Sequence, residues 1–373
     1  MLYSLRSLAP LLFAPQLIYT SGTTGRPKGV VNRHSALQAQ ITNLVDAWEW
    51  APDDRILHLL PLHHVHGVVN KLLCALWSGA TVDFMAPFDA RGVWGKFARS
   101  EADGLTLFMA VPTVYAKLVE CFHHELTEEE QAAGAAGAAR LRLMVSGSAA
   151  LPVSVLQEWE RLTGHFLLER YGMTEFGMAI SNPLAKEGRR EGRVGQPLPN
   201  VECVLVDESG AVVPDGEQGE IRVRGPIVFK EYWGRPEASA EEFDADGFFK
   251  TGDIGERDAA DGSIKIVGRA SVDIIKSGGY KISALDVERM LLEHPSITEA
   301  YVVGVEDDTW GQLVGAVVRM EPGHDALTLD DVRSWGRDRA AKYKLPSELR
   351  VVDDIPKNPT GKVNKKQLLA ELF

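Results

Sequence analysis

Thr20-Ser21-Gly22-Thr23-Thr24-Gly25-Arg26-Pro27-Lys28-Gly29 is the stretch on which the reading of this chain turns. It follows the apolar Leu17-Ile18-Tyr19, which reads as the end of a strand. Its glycines permit positive φ and close backbone approach, its hydroxyls donate to anionic oxygens, and Arg26 and Lys28 add positive charge, so the loop suits a polyphosphate. It is not the Walker pattern, because no Gly-Lys-Ser/Thr ending closes it. The competing reading is a hydroxyl-rich linker, but linkers rarely end in Pro-Lys-Gly and lead straight into a helical pattern.

The chain of 373 residues has room for a large core and two or more structural units. With 45% hydrophobic and 25% charged residues it has the composition of an ordinary globular protein. A net charge of -12 argues against a broad nucleic-acid surface, so any anionic ligand must be held by local positive sites. Cys74, Cys121 and Cys203 show no metal-ligand spacing, and their odd number argues against a disulfide framework. No apolar run reaches the roughly 18 residues of a membrane-spanning helix, so none is expected. Residues 1–15 carry Arg6, many leucines and no acid, which resembles a mitochondrial targeting segment; a truncated gene product in the cytoplasm is the alternative.

After the loop, Leu37, Ile41, Leu44, Val45 and Trp48 recur at helical spacing until Pro52. A helix that starts just after a phosphate loop points its positive end toward the anion. Residues 56–62 read as a buried strand leading into His63, His64 and His66; a zinc site is conceivable, yet no Cys, Asp or Glu stands near and strand-end side chains alternate faces. Residues 106–112, 141–146 and 166–168 are further buried strands, with helices over 114–122 and 155–162. The Ala/Gly-rich residues 128–139 have little to bury and read as an exposed helix or surface insertion. Strand, tight turn and helix in repetition predict an α/β sheet with ligands at strand ends. From Val194 the texture changes to short strands at 201–206, 219–224 and 264–267, predicting a small β-barrel or sandwich-like subdomain. Beyond Gly268 a compact α+β unit is expected: helices at 284–293 and 329–341, strands at 300–305, 314–320 and 349–352.

The loop at Thr20 resembles the phosphate-binding signature of the adenylate-forming superfamily, which includes the acyl-CoA synthetases. In that family's order it is followed by Leu60-Pro-Leu-His-His-Val-His-Gly67, Tyr171-Gly-Met-Thr-Glu175, Gly219-Glu-Ile-Arg-Val-Arg-Gly225, Thr251-Gly-Asp253, Gly268-Arg269 and Pro356-Lys-Asn-Pro-Thr-Gly-Lys362. The resemblance implies a large AMP-binding domain over residues 17–267, with its β-rich part at about 194–267, and a mobile α+β lid over 268–373. Residues 1–16 are then a leader or divergent start. Family members carry a substantial region before this loop, so the large domain is expected to be incomplete here.

The implied reaction couples a carboxylate to ATP, giving an acyl adenylate and pyrophosphate, and then to the thiol of CoA, releasing AMP. By resemblance Thr20, Ser21, Gly22, Thr23, Thr24, Gly25 and Lys28 hold phosphates, Gly147, Ser148 and Ala149 offer backbone to adenine, and Tyr171 stacks on the base. Thr174 donates to the α-phosphate, and Glu175 binds Mg²⁺, a hard cation suited to carboxylate and phosphate oxygens. The bland reading of Tyr171 to Glu175 is a helix N-terminus capped by its threonine. Asp253 accepts from the ribose and Arg269 reaches sugar or phosphate, although Thr251-Gly-Asp253 alone is merely a turn. Lys362 resembles the lysine that bridges carboxylate and α-phosphate, whereas Lys365 and Lys366 read as idle surface charges. The hinge position two places after Arg269 is Ser271 where the family has an acid or lysine, with Asp273 further on. Gly278, Gly279 and Tyr280 match the segment facing the CoA channel.

Ligases for aryl or fatty acids commonly place a small residue before the tyrosine, and this chain has Arg170. A forked cation there shortens an apolar pocket and pairs with a second carboxylate. Alternatively it pairs with Glu169 or Glu175 and faces away. With His64, His66 and Ser146 around it, and with Met-Val-Ser-Gly-Ser-Ala-Ala-Leu-Pro at 144–152, the chain resembles the malonyl-CoA synthetase branch. Malonate is the expected acid, with methylmalonate second. The alternatives are a short or medium chain fatty acid ligase and an inactive fragment that retains nucleotide or partner binding.

Overall fold

The computed structural model describes residues 16–20, 27–99, 104–321, 323–324, 327–357 and 363–373. Ser21, Gly22, Thr23, Thr24, Gly25 and Lys362 lie outside them, as do residues 1–15. The expected α/β sheet is present, with seven strands in the order Thr81–Phe84, Arg55–His58, Leu107–Ala110, Leu143–Ser146, Leu168–Met173, Gly177–Ser181 and Gln196–Pro197. The first five run parallel and the last two antiparallel. Strand alternation divides the core. Leu107, Met109, Leu143 and Val145 feed one apolar cluster, while Phe108, Ala110 and Met144 feed another on the opposite face. Helices Ala90–Phe97, Pro112–His124 and Val153–Thr163 cover the second face, and helix His34–Ala47 covers the first.

Several expectations are corrected. The Thr20 loop joins two antiparallel strands, Gln16–Thr20 and Lys28–Asn32, so a strand separates it from helix His34–Ala47 and the helix N-terminus is not at the loop. The strand expected over 56–62 stops at His58, and His66–Leu73 winds as a π-helix. Thr251-Gly-Asp253 is not a turn but lies within strand Phe249–Arg257. That strand belongs to an open antiparallel sheet of four, Glu202–Val206, Gln218–Arg224, Phe249–Arg257 and Ile264–Arg269, rather than a barrel. Tyr171 to Glu175 form a strand end and turn leading to Gly177–Ser181, which removes the capped-helix reading.

Helix Glu128–Ala139 is not an idle surface element. Thr127 and Glu130 close a reciprocal capping box at its start. Its glycines meet helix Ala90–Phe97 so closely that a Cβ on Gly137 would stand 1.9 Å from the Phe97 carbonyl oxygen.

Beyond residue 273 a five-stranded sheet includes the hairpin Ile274–Ser277 and Tyr280–Ser283, the long strands Ile297–Asp307 and Gly311–Met320, and Glu348–Val351. Helices Ala284–Leu292, Leu329–Gly336 and Lys365–Leu372 accompany it. Lys365 is not an idle surface lysine. Its side chain is only 9% exposed and its ammonium lies 2.5 Å from Asp273 and 2.6 Å from Glu288.

Candidate active site

Strand Leu168–Met173 pairs with Leu143–Ser146 only through Leu168 and Glu169. Arg170 to Met173 therefore project past the carboxyl edge of the parallel strands, the place where open α/β sheets bind ligands. Successive side chains point opposite ways. Arg170 accordingly turns toward Ser148 and Tyr171 toward Asp253.

On the Arg170 side a buried polar chain forms. Arg170 Nη2 donates to Ser148 Oγ at 3.1 Å, and Ser148 Oγ lies 3.3 Å from His66 Nδ1. Arg170 can only donate, so the serine accepts from it and, according to the imidazole tautomer, gives its own proton to Nδ1 or accepts from Nδ1–H. Burial first, and then the charges of Arg170, Lys71 and His58, hold His66 well below the usual histidine range, so the ring is neutral. Arg170 Nε, His66 Nε2 and Ser146 Oγ are buried without hydrogen-bond partners. Arg170 is 3% exposed and has no carboxylate partner among the described residues, which removes its pairing with Glu169 or Glu175. Gly147 admits the guanidinium, since a Cβ there would stand 2.7 Å from it. Ser148 holds φ at 74°. His64 lies in the preceding turn, its ring 4.5 Å from that of His63.

On the Tyr171 side, Tyr171 Oη donates to Asp253 Oδ2 at 2.6 Å and Arg269 Nε donates to Oδ1 at 2.8 Å. Asp253 and Arg269 face each other across adjacent strands. Glu175 is 4% exposed and accepts from Tyr232 Oη at 2.8 Å. Burial raises its carboxyl above the usual range, against the opposing pull of the Tyr232 hydrogen bond and of Arg269 and Lys28. Lys28 lies 4.1 Å from the Tyr232 ring centre and donates to Glu242 Oε1 at 2.7 Å. Strand Lys28–Asn32 pairs with Glu231–Tyr232, which locks the foot of the Thr20 loop beside Glu175.

The fold thus unites Arg170, Ser148 and His66 in one cluster, and Tyr171, Asp253, Arg269, Glu175 and Lys28 in a second, with Arg170 and Tyr171 adjacent on strand Leu168–Met173. Gly278, Gly279 and Tyr280 stand apart in a hairpin turn, with Tyr280 stacked on Tyr343 at 4.1 Å and Gly278 bonded to Trp310. A cavity of about 510 Å³ at the antiparallel edge of the sheet, lined by Ser181, Asn182, Gln196 and Pro197 among others, takes in none of these residues.

Tyr232, Glu242, Lys71 and Asn70 escaped the reading of the sequence. For Lys71 a signal existed: a lysine inside the apolar Val68 to Leu73. Among the described residues no group of three or more His, Cys, Asp or Glu side chains converges as a metal site, and no helix is long and apolar enough to cross a membrane.

Residues 16–233 match the family model described as AMP-binding enzyme, and residues 286–362 the model of the AMP-binding enzyme C-terminal domain. The chain is 52% identical over 378 residues to the mouse (Mus musculus) mitochondrial malonate–CoA ligase ACSF3, covering 96% of this chain and 64% of that protein. It is similar to ATP-bound MatB from Rhodopseudomonas palustris, with a TM-score of 0.85 and 38% identity over 95% of this chain and 67% of the other. A malonyl-CoA ligase ternary product complex with methylmalonyl-CoA and AMP gives a TM-score of 0.62 and 41% identity, covering 91% and 71%.

Proposed function

The chain belongs to the AMP-binding enzyme family, and from that premise we propose that it is an ATP-dependent acid–CoA ligase whose acid is malonate, with methylmalonate as a second substrate. Its site of action is the mitochondrion, as in the printed name of the mouse relative. The observation that carries the choice of acid is the buried array around Arg170: a guanidinium whose Nε–H is unused, and beside it, through Ser148, an imidazole whose Nε2 has no partner. A methyl-ended acid would leave each group unsatisfied in a dry pocket, at about 1–3 kcal/mol apiece. A carboxylate accepts from the guanidinium.

In the first half-reaction an oxygen of the other carboxylate attacks the α-phosphorus of ATP, and the bond to the bridging oxygen breaks as pyrophosphate leaves. In the second, the CoA sulfur attacks the acyl carbon, its proton is lost and AMP departs. Neither half needs a protein nucleophile. The residues of the Thr20 loop and Lys28 hold the phosphates, Tyr171, Asp253 and Arg269 hold the nucleoside, and Thr174 steadies the α-phosphate. Glu175 suits Mg²⁺, which takes one or two carboxylates together with phosphate oxygens, because it is a lone buried carboxylate with an unfavourable charge. When bound, the ion would offset phosphate charge. Residues 268–373 act as the lid that brings Lys362 to the carboxylate and then, rotated, opens the CoA path past Gly278, Gly279 and Tyr280.

The test is AMP release with ATP, Mg²⁺ and CoA across malonate, methylmalonate, acetate and octanoate, comparing the parent with Arg170→Leu. Removing one partner of a buried charge pair costs about 2–5 kcal/mol, so malonate turnover should fall roughly 30-fold or more while the KM for ATP is retained. A parent that prefers octanoate would keep the family and sink the choice of acid.

A further inference from the structure

His66 and Lys71 are the first and sixth residues of the π-helix His66–Leu73. In a π-helix the backbone bonds span five residues, so the sixth side chain stands over the first. In an α-helix the same step would turn it about 140° away. The unusual winding therefore brings Lys71 and Asn70 round to the side of the helix that carries His66.

Lys71 is fully buried, and its Nζ donates to the Met109 carbonyl oxygen at 2.8 Å. No charged neighbour offsets the burial, which pulls the ammonium down to about 7. Met109 pairs with Val145, and Val145 with Leu168, so the anchor of Lys71 lies two strands from the strand of Arg170 at the same edge of the sheet. Both cations act on His66. The Asn70 amide is fully buried, and neither its oxygen nor its nitrogen has a partner. A buried ammonium with one neutral hydrogen bond destabilises a fold, and a buried amide with none does so too. Among the described residues only the Phe108 ring, 5.8 Å from the ammonium, adds to the Met109 bond, and an anion between the two cations would compensate them further.

We propose that Lys71 is a second cation of the acid pocket, binding the free carboxylate of the substrate opposite Arg170, with the Asn70 amide beside it. The inference rests on the dicarboxylate reading above. It makes the pocket select for charge rather than for length alone. It also couples binding to pH: the protonated ammonium binds the anion, so malonate affinity weakens as pH rises above 7. The titratable groups that feel Lys71 are His58 and His66, and Arg170 acts on His66 as well. Both histidines have lowered values and are already neutral there, and burial lowers the Arg170 guanidinium only to about 9, so the limb between pH 7 and 8 belongs to Lys71.

The experiment compares the full chain with Lys71→Met and Lys71→Arg from pH 6.5 to 8, below the range in which Arg170 loses charge. It reads the KM for malonate, the KM for ATP, and the rise in thermal midpoint on adding malonate alone. Losing a hydrogen bond to a charged group, at about 1.5–3 kcal/mol, corresponds to roughly 10- to 100-fold. Lys71→Met should raise the malonate KM by that factor, leave the ATP KM within about twofold, erase the pH limb, and unfold at or above the parent temperature. Lys71→Arg should keep part of the malonate-dependent stabilisation. An unchanged malonate KM and pH limb in Lys71→Met would overturn the proposal while malonate use stands. So would a variant that merely unfolds at lower temperature with malonate stabilisation intact. A parent that gains no stability from malonate and uses octanoate overturns the dicarboxylate reading itself, and Lys71 with it.

Discussion

Glu169 and Arg170 are neighbours on one strand, both buried, and neither finds a full ion pair. For Arg170 the deficit is the one that the proposed dicarboxylate would fill. For Glu169 burial pushes the carboxyl up to about 7, with Arg289 only partly opposing it. The folded value lies above the unfolded one, so stability is fully present below about pH 4.5 and falls as pH rises toward 7. Glu169→Gln should therefore nearly match the parent at pH 4.5 and exceed it at pH 8 by about 3 kcal/mol. Urea midpoints at the two pH values check this, and parallel profiles would refute it. Arg170 was legible as a site residue because a cation before Tyr171 is out of place in an apolar pocket. Its lack of a carboxylate was not, because that depends on what the fold packs around it. The placement of Lys71 was not legible, because a π-helical turn leaves no period of its own in the sequence.

At the scale of elements, helix Lys365–Leu372 is tied to the segment after Arg269. Lys365 bridges Asp273 and Glu288, while Asp273 also accepts from the Arg269 backbone N–H at 3.0 Å. The hinge departure at Ser271 thus has a structural counterpart: Asp273 receives both the arginine backbone and the C-terminal helix. Removing one partner of a buried ion group typically costs about 3–5 kcal/mol. Lys365→Ala should destabilise the C-terminal unit by that order, and Glu288→Gln in the same chain should restore part of it. Chemical unfolding of the single and double variants measures the coupling, and additive effects would rule it out. Helices and buried strands here were largely legible from apolar period, though their ends shifted. Strand Phe249–Arg257 was not, because a Thr-Gly-Asp run reads as a turn until flanking strands pair with it on both sides.

At the scale of the molecule, the chain spans 64% of the length of its mouse relative, and its proposed activity depends on the C-terminal unit changing place between half-reactions. If Lys362 serves only adenylation, Lys362→Ala should lower malonate-dependent pyrophosphate release by roughly 100-fold, the scale of one lost transition-state contact. Transfer from preformed malonyl adenylate to CoA should stay within severalfold. Single-turnover measurement of each half separates them, and equal loss in both would reject the alternation.

The motifs, the α/β texture and the family resemblance were all determined by the sequence alone, because each motif and each apolar period rests on residues within a few positions of one another. The tertiary structure alone decided which side chains meet. Glu175 meets Tyr232 across 57 positions and Lys28 meets Glu242 across 214. The π-helical turn that carries Lys71 belongs with these. Such contacts arise from sheet pairing and burial, whose energies couple distant residues and leave no local pattern to read.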